Sequence, residues 1–197
     1  MKIWYWTRFI WFALILRLFY WTHIRQLWNK FCQWRFDNPY CRRPLPQFKR
    51  PDEVWDYMKD KFQYRQDPGK GMFDYFSDPE VFHWRLLLQD VPDGDCDDVA
   101  RFAAACIAKI KGVTDVLILR TGYEGGAHAT VVFRDLGTWC HFDYGIEPCL
   151  PNQAPTNVMM KYTKSGLPHR LLYWGYERLD MQPVLISPTD PTRILGR

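Results

Sequence analysis

Residues 9–16, FIWFALIL, are apolar without a break, and neither Gly nor Pro interrupts the chain before Pro39. That pattern predicts a long N-terminal helix. At about 100° per residue, Thr7, Arg8, Thr22, Arg25, Gln26, Asn29 and Lys30 gather on one side. Ile3, Trp6, Ile10, Ala13, Trp21, Ile24, Trp28 and Phe31 gather on the other, and Arg17 falls in the apolar sector. The pattern then breaks at DNPYCRRPLPQFKRP, which reads as a linker over 37–50.

Helical spacing returns after Pro51, with Asp52 and Glu53 in the first turn and Val54, Trp55, Met58 and Phe62 on a core face. A loop, DPGKGMFDYFSDPE, precedes a short predicted helix in SDPEVFHWRLLLQD. The next segment, PDGDCDDVARFAAACIAKIKG, predicts a helix with Asp95 as N-cap and Asp98 as a capping-box-like acid. Val99, Phe102, Ala103, Cys106, Ile107 and Ile110 form its apolar face, and Gly112 is the expected stop. Alternation switches to period two in DVLILRT, HATVVFR and TWCHFDYG, three strands of an antiparallel meander joined by GYEGG and DLG. HRLLYWGYERL and PVLIS are each expected to add a strand or a helix.

Charge sharpens this division. Residues 1–50 carry ten Lys/Arg and one acid, Asp37, whereas the remainder carries sixteen against twenty-one acids. A basic arm is therefore joined to a mildly acidic body. Six of the ten tryptophans lie at or before Trp34. Aromatic residues near Trp4–Trp6 and Tyr20–Trp21 would lie about 25 Å apart along a helix, close to a hydrocarbon core's thickness. Three readings stand: a membrane-contacting helix, a helix packed on protein, and a signal peptide, the last disfavoured by the missing small-x-small site. Basic residues after the apolar run would place the body in the cytoplasm, possible membrane association being through the arm. Because the basic residues share a helix with bulky hydrophobics, the arm speaks against nucleic acid and for a membrane or larger assembly, through residues 1–34.

The six cysteines contain no C-x-x-C pair, and a chain of this size builds a core without staples, so mostly reduced thiols are expected. Cys96 could be a metal ligand, a disulfide half, a buried thiol or a nucleophile. Asp93, Asp95 and Asp97 open like a calcium loop, but Asp98 stands where Gly is needed and Ala104 where Glu is needed. A zinc set of Cys96, His128 and His141 is the other metal reading; neither outweighs nucleophilic chemistry, and no cofactor or metal is expected. A helix start stabilises a thiolate, an imidazole activates it, and a third group orients the imidazole. Cys96 at a predicted helix start, His128 at a strand start and Asp143 on the next strand supply these in order. His141 shares the Asp143 side of its strand and could assist. His23, His83 and His169 have no companion groups and read as surface or packing residues.

GDCDDVARFAAA, AHATVVF and WCHFDYG together resemble the transglutaminase-like superfamily, over about residues 50–145. Tyr64 and Asp67 also resemble its upstream Tyr-x-x-Asp. The resemblance implies an α+β, papain-like core in which the helix bearing Cys96 packs on an antiparallel sheet. It implies Cys96, His128 and Asp143 as a catalytic triad of a cysteine peptidase or acyltransferase acting on a protein or peptide. It further implies an oxyanion hole from the Cys96 N–H, with Gln89 as second donor, and a cleft lined by Trp84, Gly125 and Gly126. The expected organisation is an arm over 1–36, a linker over 37–50, a catalytic core over 51–150 and a C-terminal extension over 151–197. The competing expectation is a catalytically silent structural or assembly protein that uses the arm.

Overall fold

A computed structural model describes residues 24–38, 40–64, 77–88, 94–123, 126–147, 171–180 and 183–187. Among the described residues, four helices precede six strands: α1 (Ile24–Phe36), α2 (Asp52–Met58), α3 (Pro79–Leu88), α4 (Cys96–Ile107), β1 (Val113–Tyr123), β2 (Gly126–Asp135), β3 (Thr138–Phe142), β4 (Ile146–Glu147), β5 (Leu171–Glu177) and β6 (Pro183–Ser187). The chain is α+β. All six strands form one antiparallel sheet in the order β4-β3-β2-β1-β5-β6. The expected β1–β2–β3 meander is present, and both uncertain C-terminal segments are strands that extend the sheet beyond β1.

Helix α4 packs on β1 and β2, and α2 and α3 pack on α4. Its apolar face explains why: Val99, Phe102, Ala103, Cys106 and Ile107 are buried with Phe82 and Leu86 of α3 and Val131, Phe133 and Phe142 of the sheet. Phe82, Phe102, Phe133 and Phe142 are each fully buried, and burial of such a side chain stabilises by roughly 1.5–3 kcal/mol. A smaller cluster of Leu119, Val132 and Tyr176 covers other positions of the sheet.

Helix α4 stops before its expected end. Its last residue is Ile107, and the chain then tightens through Lys109 N–H to Cys106 O and Ile110 N–H to Ile107 O. Gly112, at φ +92°, serves the turn into β1 rather than the helix cap. Helix α2 is also shorter than its apolar spacing suggested, and Glu53 reaches back to the backbone N–H groups of Lys49 and Arg50 at 2.8 and 3.4 Å.

The segment read as a linker lies on the core: Leu45 and Phe48 pack against it. Asp37 is buried and pairs with Arg85 of α3 at 2.9 Å, while Ser77 donates to Asp37 at 3.3 Å and Arg85 donates to Ser77 at 2.8 Å. The backbone N–H of Asp78 donates to the other Asp37 oxygen at 2.8 Å. The arm's end is thus bolted to the body by a buried charged pair. Most of the predicted arm helix, residues 1–23, lies outside the described residues, as do the transmembrane and signal-peptide readings that rest on them. Among the described residues, no helix is long and apolar enough to cross a membrane.

Of the described cysteines, Cys32, Cys41, Cys96 and Cys106 lie outside disulfides, whereas Cys140 is disulfide-bonded. Most of the described thiols are thus reduced, as expected, with Cys140 the exception. Core size removes the need for a staple, but it does not prevent one from forming.

Candidate active site

Asp95 takes an extended conformation and accepts from the Asp97 backbone N–H at 3.3 Å, which starts α4 as the sequence predicted. Cys96 is the first helical residue, where the backbone N–H has no acceptor inside the helix. Asp98 does not act as a capping-box acid. It is buried and accepts from the Ser77 backbone N–H at 2.6 Å, tying the start of α4 to the entry of α3. Its carboxylate lies so close to Gly94 that a Cβ there would meet Asp98 Oδ2 at 2.1 Å. Burial and the neighbouring Asp95 push the Asp98 carboxyl up to about 7, against the opposing pull of the Ser77 N–H and Arg85.

Asp97 turns the other way and pairs with Arg120 of β1 at 3.2 Å, with both side chains buried. This pair sets the helix start on the sheet. Arg120 is followed by Thr121, which faces His128 across the β1–β2 ladder. The register therefore brings His128 beside Cys96.

His128 Nε2 lies 2.8 Å from Asp143 Oδ1. A carboxylate only accepts, so Nε2 carries the proton and donates. Cys96 lies close enough to act on the same ring and raises its pKa. Burial works to lower the pKa of His128, but the hydrogen bond it donates to Asp143, nearby Cys96 and the charges of both outweigh it and push it up to about 10. At neutral pH the ring is therefore an imidazolium.

Asp143 is not on the strand where it was expected. The β2–β3 ladder ends at Val131–Phe142, and Asp143, Tyr144 and Gly145 form a bend closed by Asp143 N–H to Gly145 O at 2.9 Å. Tyr144 takes φ +49° and Gly145 φ +146°. Strand alternation consequently stops before Asp143, and the pairing of His141 with its side no longer follows. His141 is buried, and its Nε2 meets Thr130 Oγ1 at 3.1 Å.

Two aromatic residues that sequence reasoning missed stand behind the site. Tyr144 stacks on His128 with ring centroids 6.1 Å apart, and Trp55 of α2 meets Tyr144 edge-on at 5.7 Å. Burial, then the charges of Cys96 and Asp143, push the Tyr144 hydroxyl well above its ordinary range. The sequence held no signal for this stack, because it joins residues 89 positions apart. Arg120 did leave one: a lone charge at the end of the apolar run Val116–Leu119.

Other expectations divide. Tyr64 bridges backbone to backbone with Gly94, next to the start of α4. Trp84 is half-buried on α3. Gly126 pairs with Tyr123 at the β1–β2 turn. Gln89, Asp67, Gly125, His23 and His169 lie outside the described residues. His83 is a packing residue, buried between the Tyr57 hydroxyl at 2.6 Å and the Pro44 carbonyl at 2.7 Å.

Among the described residues, the one grouping of three ligating side chains is Asp95, Asp97 and Asp98, with atoms within 4.8 Å of one another. Each already serves the fold: Asp95 caps α4, Asp97 pairs with Arg120 and Asp98 takes the Ser77 N–H. Cys96, His128 and His141 do not form such a group.

No family model matches the chain, and no curated protein matches it. One solved structure to which the chain shows similarity is calcium-bound LapG of Legionella pneumophila, at 17% identity and a TM-score of 0.39. The match covers 64% of this chain and 65% of that one. The functional reading therefore rests on Cys96, His128 and Asp143 themselves.

Proposed function

We propose that the protein is a transglutaminase-like cysteine peptidase or amidase, with a papain-like core, that cleaves amide bonds through a thioester. The observation that carries this reading is the single imidazole bonded to Asp143, with Cys96, the first residue of a capped helix, near enough to raise its pKa. The imidazolium form of His128 pairs with the Cys96 thiolate, which attacks the carbonyl carbon of a peptide or protein amide. The oxyanion that develops is met by the Cys96 backbone N–H, with Gln89 as the second donor. The C–N bond breaks as His128 passes its proton to the leaving amine. His128 then takes a proton from water, whose oxygen attacks the thioester and releases the acid and the thiol. Asp143 holds the ring in the orientation both transfers require. A lysine amine in place of water would give a cross-link by the same chemistry; hydrolysis is favoured.

Mapping of iodoacetamide adducts near neutral pH tests the reading. Cys96 is expected to react ahead of Cys32, Cys41 and Cys106, and His128→Ala is expected to abolish that preference. A Cys96 no faster than Cys41, or one indifferent to His128, would leave the catalytically silent reading standing.

A further inference from the structure

Helix α1 presents an outward face that the proposed chemistry does not use. Leu27, Phe31 and Trp34 are 65%, 47% and 76% exposed. At about 100° per residue they form one narrow stripe. Lys30 and Arg35, both exposed, flank it on either side. Asn29 and Cys32 lie opposite and are buried. Sequence patterning placed Asn29 with the polar residues and Phe31 with the apolar ones, so α1 packs inward through Asn29 and Cys32 and leaves large hydrophobics outside. Phe31 and Trp34 touch, with ring centroids 6.0 Å apart, and extend the apolar surface along the helix.

We infer that this face is a docking surface for an anionic lipid bilayer, with α1 lying in the plane of the interface. Three observations select this occupant. First, Trp, Phe and Leu bordered by Lys and Arg are the side chains of an interfacial helix. Second, residues 1–36 contain six Lys/Arg and no acid, which complements acidic headgroups. Third, a two-fold contact between copies of this face would set its own Lys30 and Arg35 against their like, which is repulsive. Among the described residues, α1 covers Ile24–Phe36. Its body side is fixed through Asp37 to Arg85 and Ser77, and Ser77 bonds to Asp98, two residues from Cys96. A surface that holds α1 therefore also sets the direction in which the Cys96 helix faces.

Sedimentation of the full chain with vesicles tests this inference, using phosphatidylcholine alone and phosphatidylcholine mixed with phosphatidylglycerol. Wild type is expected to bind the mixed vesicles more tightly. Lys30→Gln with Arg35→Gln is expected to weaken that binding about thirtyfold, from the usual worth of two basic residues near an acidic surface. Phe31→Ser with Trp34→Ser is expected to weaken binding to both vesicle types. Acyl-chain-brominated lipids provide a readout independent of those variants: they should quench wild type more than Trp34→Phe. Absence of vesicle binding, variants that bind like wild type, or equal quenching with and without Trp34 each overturn the inference. So does light scattering that finds a dimer which Phe31→Ser with Trp34→Ser dissociates.

Discussion

His128 donates its Nε2–H to Asp143 Oδ1 at 2.8 Å across a bend that ends β3, and nearby Cys96 acts on the same ring. The ring keeps its proton until the pH nears 10, because Asp143 and Cys96 outweigh the burial that would lower its pKa. Asp143→Asn removes the charge but keeps an acceptor. Activity is expected to fall on the order of 10³-fold, and the alkaline limb of the rate profile should move to lower pH. Rates measured against pH with a protein substrate check both; an unmoved alkaline limb would count against His128 as the proton donor.

Tyr144 holds the His128 ring by its face and is itself braced by Trp55. Tyr144→Phe keeps the ring and is expected to retain most activity. Tyr144→Ala loses an aromatic contact of about 0.5–1.5 kcal/mol and should slow Cys96 alkylation. The two alkylation rates, compared at one pH, separate stacking from the hydroxyl.

Gly94→Ala is expected to destabilise the protein by about 1–3 kcal/mol, because the new methyl group enters the Asp98 carboxylate. Asp98 is held by the Ser77 N–H and cannot swing away without losing that bond. The cost should shrink when Gly94→Ala is combined with Asp98→Ala, a non-additivity that a thermal-melting double-mutant cycle would read.

Asp98 also gives stability a pH dependence. Its folded pKa, about 7, lies above the ordinary carboxylate value, so the native state holds a proton that the unfolded chain has released. Its contribution is fully present below the unfolded value and is lost as pH rises through about 7. Asp98→Asn should flatten that fall between pH 4 and 7, a change visible in denaturant midpoints measured across the range. A steeper fall in the variant would contradict the assignment.

Removing one partner of the Asp37–Arg85 pair leaves a buried charge uncompensated. Asp37→Ala is expected to cost about 3–5 kcal/mol, lowering Tm by roughly 6–20 °C for a chain of this size. Arg85→Met with Asp37→Leu should recover much of that loss, as differential scanning calorimetry can show.

Local rules made much of the site legible in the sequence. Asp95 before an apolar 3.6-residue period sets where α4 begins and therefore puts Cys96 at its first position. Period-two alternation marks β1, β2 and β3, and turn residues between them imply neighbouring antiparallel strands. These signals are local, so one chain segment is enough to read them. Tertiary structure decided the rest, because the deciding interactions join residues far apart. Asp98 left its local role as a helix cap for Ser77, Asp97 found Arg120, and Asp37 found Arg85. The register that sets Thr121 against His128, and the bend that carries Asp143 off its strand, brought the imidazole between thiol and carboxylate. Which side of α1 packs was decided the same way: a hydrophobic period shows that a helix has two faces, but Asp37 and the body it binds select the one turned inward.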